Sequence, residues 1–224
     1  FITNDHRKKI FIKNYACSPK KIFTIQFPPN ICLNEEKSKI VKINFIDKKI
    51  NSYIFYPAQY WSHKNHSYII HAMRRFKSLK LENFGCVFSG SDKGNLDHLR
   101  KLSAKEGLEG KVIFFNYLSN GQIKYLYKNC FCVVFPSLIG FDSFLLYETF
   151  FFKKMIIYNY RIIDKFFAKN IIPLNIKNYS DLGKKILNLK INNKNYNKYL
   201  LKNLQVYKKN FSNLETEFNT LILN

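Results

Sequence analysis

Four stretches of this 224-residue chain crowd polar groups where a strand pattern gives way to a helical one. The first is YPAQYWSHKNHSYIIHA, Tyr56 to Ala72, which carries Gln59, Trp61, His63, Lys64, Asn65 and His66 in a single turn. In open α/β sheets ligands bind at such strand-to-helix turns. A lysine near a helix N-terminus, with backbone N–H groups around it, suits a phosphate. Taken alone, Lys64 also reads as a solvated side chain beside a helix cap. The second stretch is Ser89-Gly90-Ser91-Asp92-Lys93-Gly94. Its glycines would let a backbone approach a ligand closely. It matches neither a Walker loop nor a G-x-G-x-x-G fingerprint, and by itself it reads as an ordinary turn.

The third, Asn116-Tyr117-Leu118-Ser119, could line a planar base, although ordinary loop chemistry also explains it. The fourth is VVFPSLIGFDSFLLYETF, Val133 to Phe150. Here Glu148 sits among Leu146, Tyr147, Phe150 and Phe151. A carboxylate in such company is costly unless it meets water, a cation or hydrogen-bond donors such as sugar hydroxyls. The bland alternative puts Glu148 on the one exposed edge of its helix. The five histidines show no metal spacing, and no Ser-His-Asp or Cys-His set can be assembled. The five cysteines, Cys17, Cys32, Cys86, Cys130 and Cys132, fall mostly in apolar runs and read as reduced core thiols in a cytosolic protein. Cys130-x-Cys132 is not a convincing zinc spacing.

The elements that must position these stretches follow from periodicity. The pattern predicts a helix over Asp5 to Tyr15, a strand over Lys21 to Gln26 and a stop at Pro28-Pro29. Asn30 to Lys49 is a charged connection in which Ile40 to Phe45 could be a strand. Strands then follow at Ser52–Tyr56, Gly85–Ser89, Lys111–Tyr117, Phe131–Pro136, Met155–Tyr158 and Ile171–Leu174. Helices alternate with them. They are predicted over Asn65–Leu79 with Ile69, Ile70, Met73 and Phe76 on one face, over Asn95–Glu106, from a Ser119/Gln122 capping box, and over Asp142–Phe152. A further helix from Ser180 to Leu189 and a last one from about Tyr196 to Leu223 complete the chain. Alternating strands and helices give an α/β fold, a doubly wound parallel sheet of Rossmann-like type.

Composition bounds the rest. The hydrophobic fraction of 46 % can build a sizeable core. The formal charge of +22 invites a nucleic-acid or acidic-membrane reading. The positive residues are spread evenly, without a long basic block, and arrive with many Asn, Ile, Phe and Tyr. Biased coding composition therefore explains the charge better than nucleic-acid binding does. The longest apolar region, Cys130 to Phe152, is interrupted by Pro136, Gly140, Asp142 and Glu148, which argues against a transmembrane helix.

The ordered stretches PAQYWSHKNHSYIIHA, CVFSGSDKGN and KVIFFNYLSNGQIKYLYKNCFCVVFPSLIGFDSFLLYETFFFKKMIIYN together resemble the C-terminal, donor-binding half of GT-B glycosyltransferases, most closely glycosyltransferase family 4. The likeness is strongest from Tyr53 to Asn159. It implies a remnant of the N-terminal domain and a linker over 1–49, a nucleotide-sugar-binding domain over 50–190, and a helical extension over 191–224 crossing back toward the N-terminal domain. The chain would then be a truncated enzyme.

The resemblance also implies roles. Lys64 matches the lysine that meets the donor diphosphate, while Gln59 stands where arginine is usual. Gly90 falls in the second donor loop. Tyr117 and Leu118 match the segment beside the base, and Ser143, Phe144 and Leu145 match residues whose backbone N–H groups face the diphosphate. Glu148 matches the second glutamate of an E-x7-E pattern, on the ribose hydroxyls. The first glutamate falls on Gly140 and is absent. The implied activity is retaining transfer of a hexosyl group, mannosyl among the options, from a GDP- or UDP-linked sugar to a glycan or lipid-linked acceptor. Surface polysaccharide synthesis would be its setting. No cofactor and no metal is implied, and the location would be cytoplasmic or peripheral on an anionic inner membrane. The rival readings are a nucleotide-sugar-binding fragment incomplete for catalysis and, less favoured, a basic nucleic-acid-binding protein.

Overall fold

The computed structural model describes residues 5–23, 29, 39–43, 50–140, 143–163 and 167–211. Six strands, β1 (Ser52–Pro57), β2 (Phe84–Ser89), β3 (Val112–Phe115), β4 (Cys132–Phe135), β5 (Met155–Asn159) and β6 (Ile172–Leu174), form one parallel sheet in the order β3-β2-β1-β4-β5-β6. Every pairing is parallel, so the strands need crossover connections. The helices between and after them are α2 (His66–Met73), α3 (Leu96–Lys105), α4 (Asn120–Asn129), α5 (Ser143–Phe151), α6 (Tyr179–Ile191) and α7 (Asn193–Phe211), with α1 (Asp5–Tyr15) ahead of the sheet. The chain steps one way from β1 to β3 and the other way from β4 to β6. Right-handed crossovers then place α2 and α3 on one face and α4 and α5 on the other. β2, β4 and β5 are buried on both faces and read as unbroken apolar runs.

The helical layers close by aromatic contact. Tyr68 of α2 meets Tyr179 of α6 at 5.5 Å, and its hydroxyl donates to the Asn178 carbonyl at 2.9 Å. On the other face Tyr147 of α5 meets Phe211 of α7 edge-on at 4.7 Å. Such pairs contribute about 0.5–1.5 kcal/mol beyond the area they bury.

Several boundaries differ from the sequence pattern. The helix expected over 65–79 stops at Met73. From Arg75 the bonding shifts to i→i−3, with Arg75 N on the Ala72 carbonyl and Phe76 N on that of Met73, and Ser78 Oγ donates to the Arg75 carbonyl. This tighter winding keeps Phe76 buried while the chain turns toward β2. At Lys21, where a strand was expected to begin, a 3-10 turn (Pro19–Lys21) is closed by Lys21 N on the Ser18 carbonyl. Ile22 and Phe23 belong to no regular element, and the remainder of that expected strand, 24–26, lies outside the described residues. Residues 39–43 form no regular element, and 44–45 are not described. The helix start assigned to Ser180 belongs to Asn178, whose extended backbone lets its side chain accept from Ser180 N. The last helix begins at Asn193 rather than Tyr196, and its expected course past Phe211, with Phe218 and Leu221, is not described. Cys86, Cys130 and Cys132 are buried free thiols, Cys17 is partly buried, and Cys32 is not described.

Candidate functional site

Parallel strands send all their carboxyl ends to one edge, so the loops after β1, β2, β3 and β4 emerge together there. The order reverses between β1 and β4, the position at which such sheets open a crevice. A cleft of about 620 Å³ opens at this edge, lined by Pro57, Ala58, Gln59, Ser89 to Asp92, Asn116 to Leu118, Asn120, Ile123 and Glu148. It unites five of the residues singled out in the sequence: Gln59, Gly90, Tyr117, Leu118 and Glu148. Lys64, Phe144 and Leu145 are not among its lining residues.

The lips of the cleft are bonded to one another. Tyr60 N donates to the Ser91 carbonyl and Gly90 N to that of Phe115, each at 3.0 Å. The Tyr60 hydroxyl reaches the Phe115 carbonyl at 2.8 Å. Gly90 is required by this closeness, since a Cβ there would lie 2.4 Å from the Ala58 carbonyl oxygen and 2.7 Å from Gln59 Cα. The glycine thus serves loop-to-loop contact, a reason the sequence did not disclose. Asp92 accepts the amides of Gly94, Asn95 and Leu96 and so anchors the start of α3. The Leu96 amide, with its neighbours, holds this carboxyl below its ordinary pKa.

Glu148 is half-buried while Leu145, Leu146, Tyr147, Thr149 and Phe150 around it are buried. Its Oε2 accepts the Tyr127 hydroxyl at 2.6 Å. Tyr127 is itself held between Phe152, stacked at 4.9 Å, and Phe55, edge-on at 5.0 Å. This partner was invisible in the sequence, because Tyr127 lies on another helix and no local spacing joins the two. Tyr117 stands out at 87 % exposure on the far lip. Gln59 is exposed, and its Oε1 accepts from the Trp61 indole at 3.0 Å.

Lys64 closes the 3-10 turn Ser62–Lys64 that follows β1. Its Nζ lies 5.3 Å from the centre of the Phe135 ring, at the carboxyl end of β4. The turn is stitched to the β4–α5 loop. Leu138 N and Ser137 Oγ both donate to the His63 carbonyl, at 2.8 and 3.1 Å, and Asn65 Nδ2 donates to the Pro136 carbonyl at 3.1 Å. Lys64 and the N-terminus of α5 therefore flank the β1/β4 switch point. Phe144 is exposed and Leu145 buried, so Leu145 can face a ligand through its backbone alone. Gly140 has φ +81, a conformation suited to glycine, and a Cβ placed there would meet nothing within 4 Å among the described residues. Among the described residues no group of three or more His, Cys, Asp or Glu side chains is placed to hold a metal ion. None of the described helices is long and apolar enough to cross a membrane.

A family model described as glycosyl transferases group 1 matches residues 36–202. Among solved structures the fold is similar to Anabaena Alr3699/HepE in complex with UDP, with a TM-score of 0.76 and 13 % identity over 100 % of this chain and 63 % of that one. It is similar to WaaG, a glycosyltransferase involved in lipopolysaccharide biosynthesis, with a TM-score of 0.71 and 13 % identity over 96 % and 61 %. The catalytic domain of a cholesterol-alpha-glucosyltransferase from Helicobacter pylori aligns over 70 % of this chain and 99 % of its own length, with a TM-score of 0.57 and 17 % identity. At these identities the likeness is one of fold, and the chain spans less than two thirds of the first two structures. No curated protein sequence matches the chain.

Proposed function

The chain belongs to the glycosyl transferases group 1 family, and on that premise we propose that it is the donor-binding, C-terminal half of a family 4 enzyme. The observation that carries this reading is the cleft at the carboxyl edge of β1 to β3, where Gln59, Gly90, Tyr117, Leu118 and Glu148 come together. A nucleoside fits there, with its base against Tyr117 and Leu118 and its ribose hydroxyls on Glu148. The diphosphate then extends to the switch point, toward Lys64 and the backbone amides of Ser143, Phe144 and Leu145 at the start of α5. Residues 50–190 form the donor domain in this reading, 1–49 a lead-in from the acceptor-binding half, and 191–224 the return helix.

The reaction is transfer of a hexosyl group, with retention, from a UDP- or GDP-linked sugar to a glycan or lipid-linked acceptor. As the glycosidic bond breaks, negative charge grows on the departing diphosphate. A preorganised ammonium and backbone amides stabilise that charge more in the transition state than before it. Lys64 carries this role, and no metal is needed for it. The setting is surface polysaccharide synthesis at the cytoplasmic side of a membrane. The +22 charge would support loose contact with anionic lipid, which weakens as salt shortens screening to about 10 Å at 0.1 M. Liposome co-sedimentation across a salt series checks that contact.

A second reading, binding without transfer, is favoured by two positions. Gln59, in the place of an arginine, has its carbonyl engaged by Trp61, and Gly140 offers no carboxylate. Calorimetry with UDP and GDP, followed by donor-hydrolysis and transfer assays, tests both readings. Binding with neither hydrolysis nor transfer selects the second. Lys64→Ala should weaken binding by roughly 1.5–3 kcal/mol, the range for a charged hydrogen bond. Absence of binding to either nucleotide at millimolar concentration overturns both.

A further inference from the structure

His66, the first residue of α2, takes no part in that mechanism, yet its side chain is wholly buried beneath the β1–α2 loop. The rings of Tyr56, Phe88 and Tyr60 surround it at 4.7, 5.0 and 5.2 Å. Its Nε2 lies 3.3 Å from the carbonyl oxygen of Ala58. A carbonyl only accepts, so the hydrogen must sit on Nε2, and Nδ1 is left with a lone pair. That nitrogen is buried and has no hydrogen-bond partner among the described residues. Burial, aided by the Lys64 ammonium and opposed by the Ala58 carbonyl, pushes the imidazole pKa down to about 3, so the ring is neutral. An aromatic hydrocarbon would fill this cage without an orphaned nitrogen. What histidine adds is the bond to Ala58.

Ala58 matters because it lies on the first lip of the cleft. Gly90 passes so close to its carbonyl that no Cβ would fit between them. Both residues line the cleft. The rest of the loop is fixed by other groups: Tyr60 on Ser91, the Tyr56 hydroxyl on the Lys64 carbonyl at 3.0 Å, and Leu138 on His63. His66 supplies the tie at Ala58.

We propose that His66 is a positioning residue, fixing the Ala58 carbonyl and thereby the lip that receives a nucleoside diphosphate. The inference rests on the donor-cleft reading for its ligand, but the ordering of the lip can be measured without any ligand. His66→Gln keeps an N–H that can reach Ala58, whereas His66→Phe keeps the ring and removes the donor. In the ligand-free chain, hydrogen exchange of amides 58–64 should rise about five-fold in His66→Phe, as loss of one hydrogen bond implies, and stay near the parent in His66→Gln. Affinity for UDP and GDP should fall by a similar factor in His66→Phe and recover in His66→Gln. A merely space-filling role predicts the opposite order, with the ring-preserving variant closer to the parent, and that result overturns the proposal. So does equal exchange in both variants and the parent. Should His66→Phe fail to fold, imidazole nitrogen shifts of the parent still decide: an Nε2–H tautomer supports the proposal and an Nδ1–H tautomer refutes it. Failure of the parent to bind either nucleotide would remove the donor reading, while exchange and tautomer would still judge the positioning of the loop.

Discussion

The cleft lips and the helical layer of α2 and α6 each depend on a glycine pressed against a neighbour, and they differ in what that neighbour is. Gly90 meets backbone: the Ala58 carbonyl carbon and oxygen and Gln59 Cα all lie within 2.7 Å of a would-be Cβ. Gly183, inside α6, meets a side-chain end, Leu79 Cδ1, at 2.5 Å, and the Phe76 ring beyond 3.4 Å. Backbone bonded into a sheet edge cannot move without breaking its ladder, whereas a leucine methyl can rotate away. The same short distance therefore means a fixed geometry in one region and an adjustable one in the other. A site that must hold a ligand in register belongs in the first kind of region.

The contrast is broken most directly at Gly90. Gly90→Ala should destabilise the chain by about 3 kcal/mol, the upper part of the usual range for overpacking, because the yielding atoms are backbone. Urea midpoints at constant m-value measure it. A cost below about 1 kcal/mol would mean that the lips slide apart freely, and the picture of a rigid edge would fail.

Glu148 sharpens the comparison from the ligand side. Its carboxylate accepts the hydroxyl of a tyrosine that is itself stacked on Phe152. Glu148→Gln should therefore leave the fold in place and weaken binding of UDP or GDP by roughly 1.5–3 kcal/mol. A base-free sugar phosphate should be affected less. Calorimetry on the two ligand types separates ribose recognition from general loss of structure, which would weaken both alike.

The cleft lip should also carry a pH signature, through the histidine buried beneath it. His66 has its pKa lowered from 6.5 to about 3, first by burial. Between those values the unfolded chain takes up a proton that the folded chain refuses. Stability is therefore full above about 6.5 and falls as the pH drops, by about 1.4 kcal/mol per unit once the unfolded histidine is charged. Urea midpoints of the parent should show this slope between pH 6 and 4, and His66→Gln should lose that component. An equal slope in both would assign acid sensitivity to other groups.

How much of this was legible beforehand depended on range. The six strands and their parallel pairing were readable, because apolar runs such as Val133 to Phe135 and Ile156 to Tyr158 admit burial on both faces. The Ser119/Gln122 capping box was readable because its partners are three residues apart, and both bonds are present. Glu148 stood out by chemistry, as an acid in an apolar helix. What pairs it, Tyr127, did not, since the contact is made across 21 residues by two helices. The purpose of Gly90 was hidden for the same reason: the strand registers that bring Pro57 beside Ser89 exist only in the sheet. The α2 boundary was missed because a 3-10 turn keeps Phe76 on the same buried side that a longer helix would.

The smallest expected effect tests the other half of the comparison. Gly183→Ala places a methyl against Leu79 Cδ1, which is the end of a partly buried side chain at the end of the Lys77–Leu79 turn. Rotation or a shift of a few tenths of an ångström relieves that contact, at a cost of about 0.5–1.5 kcal/mol for an off-rotamer leucine. Against it stands the gain from replacing glycine inside a helix, about 1 kcal/mol in favour of alanine. The two nearly cancel, so the urea midpoint should move by less than the equivalent of about 1 kcal/mol in either direction. Nucleotide binding should not change, because α6 lies away from the cleft lining. A loss as large as that for Gly90→Ala would show that the α2–α6 layer is as unyielding as the sheet edge. The difference between backbone and side-chain neighbours would then no longer explain where the site is placed.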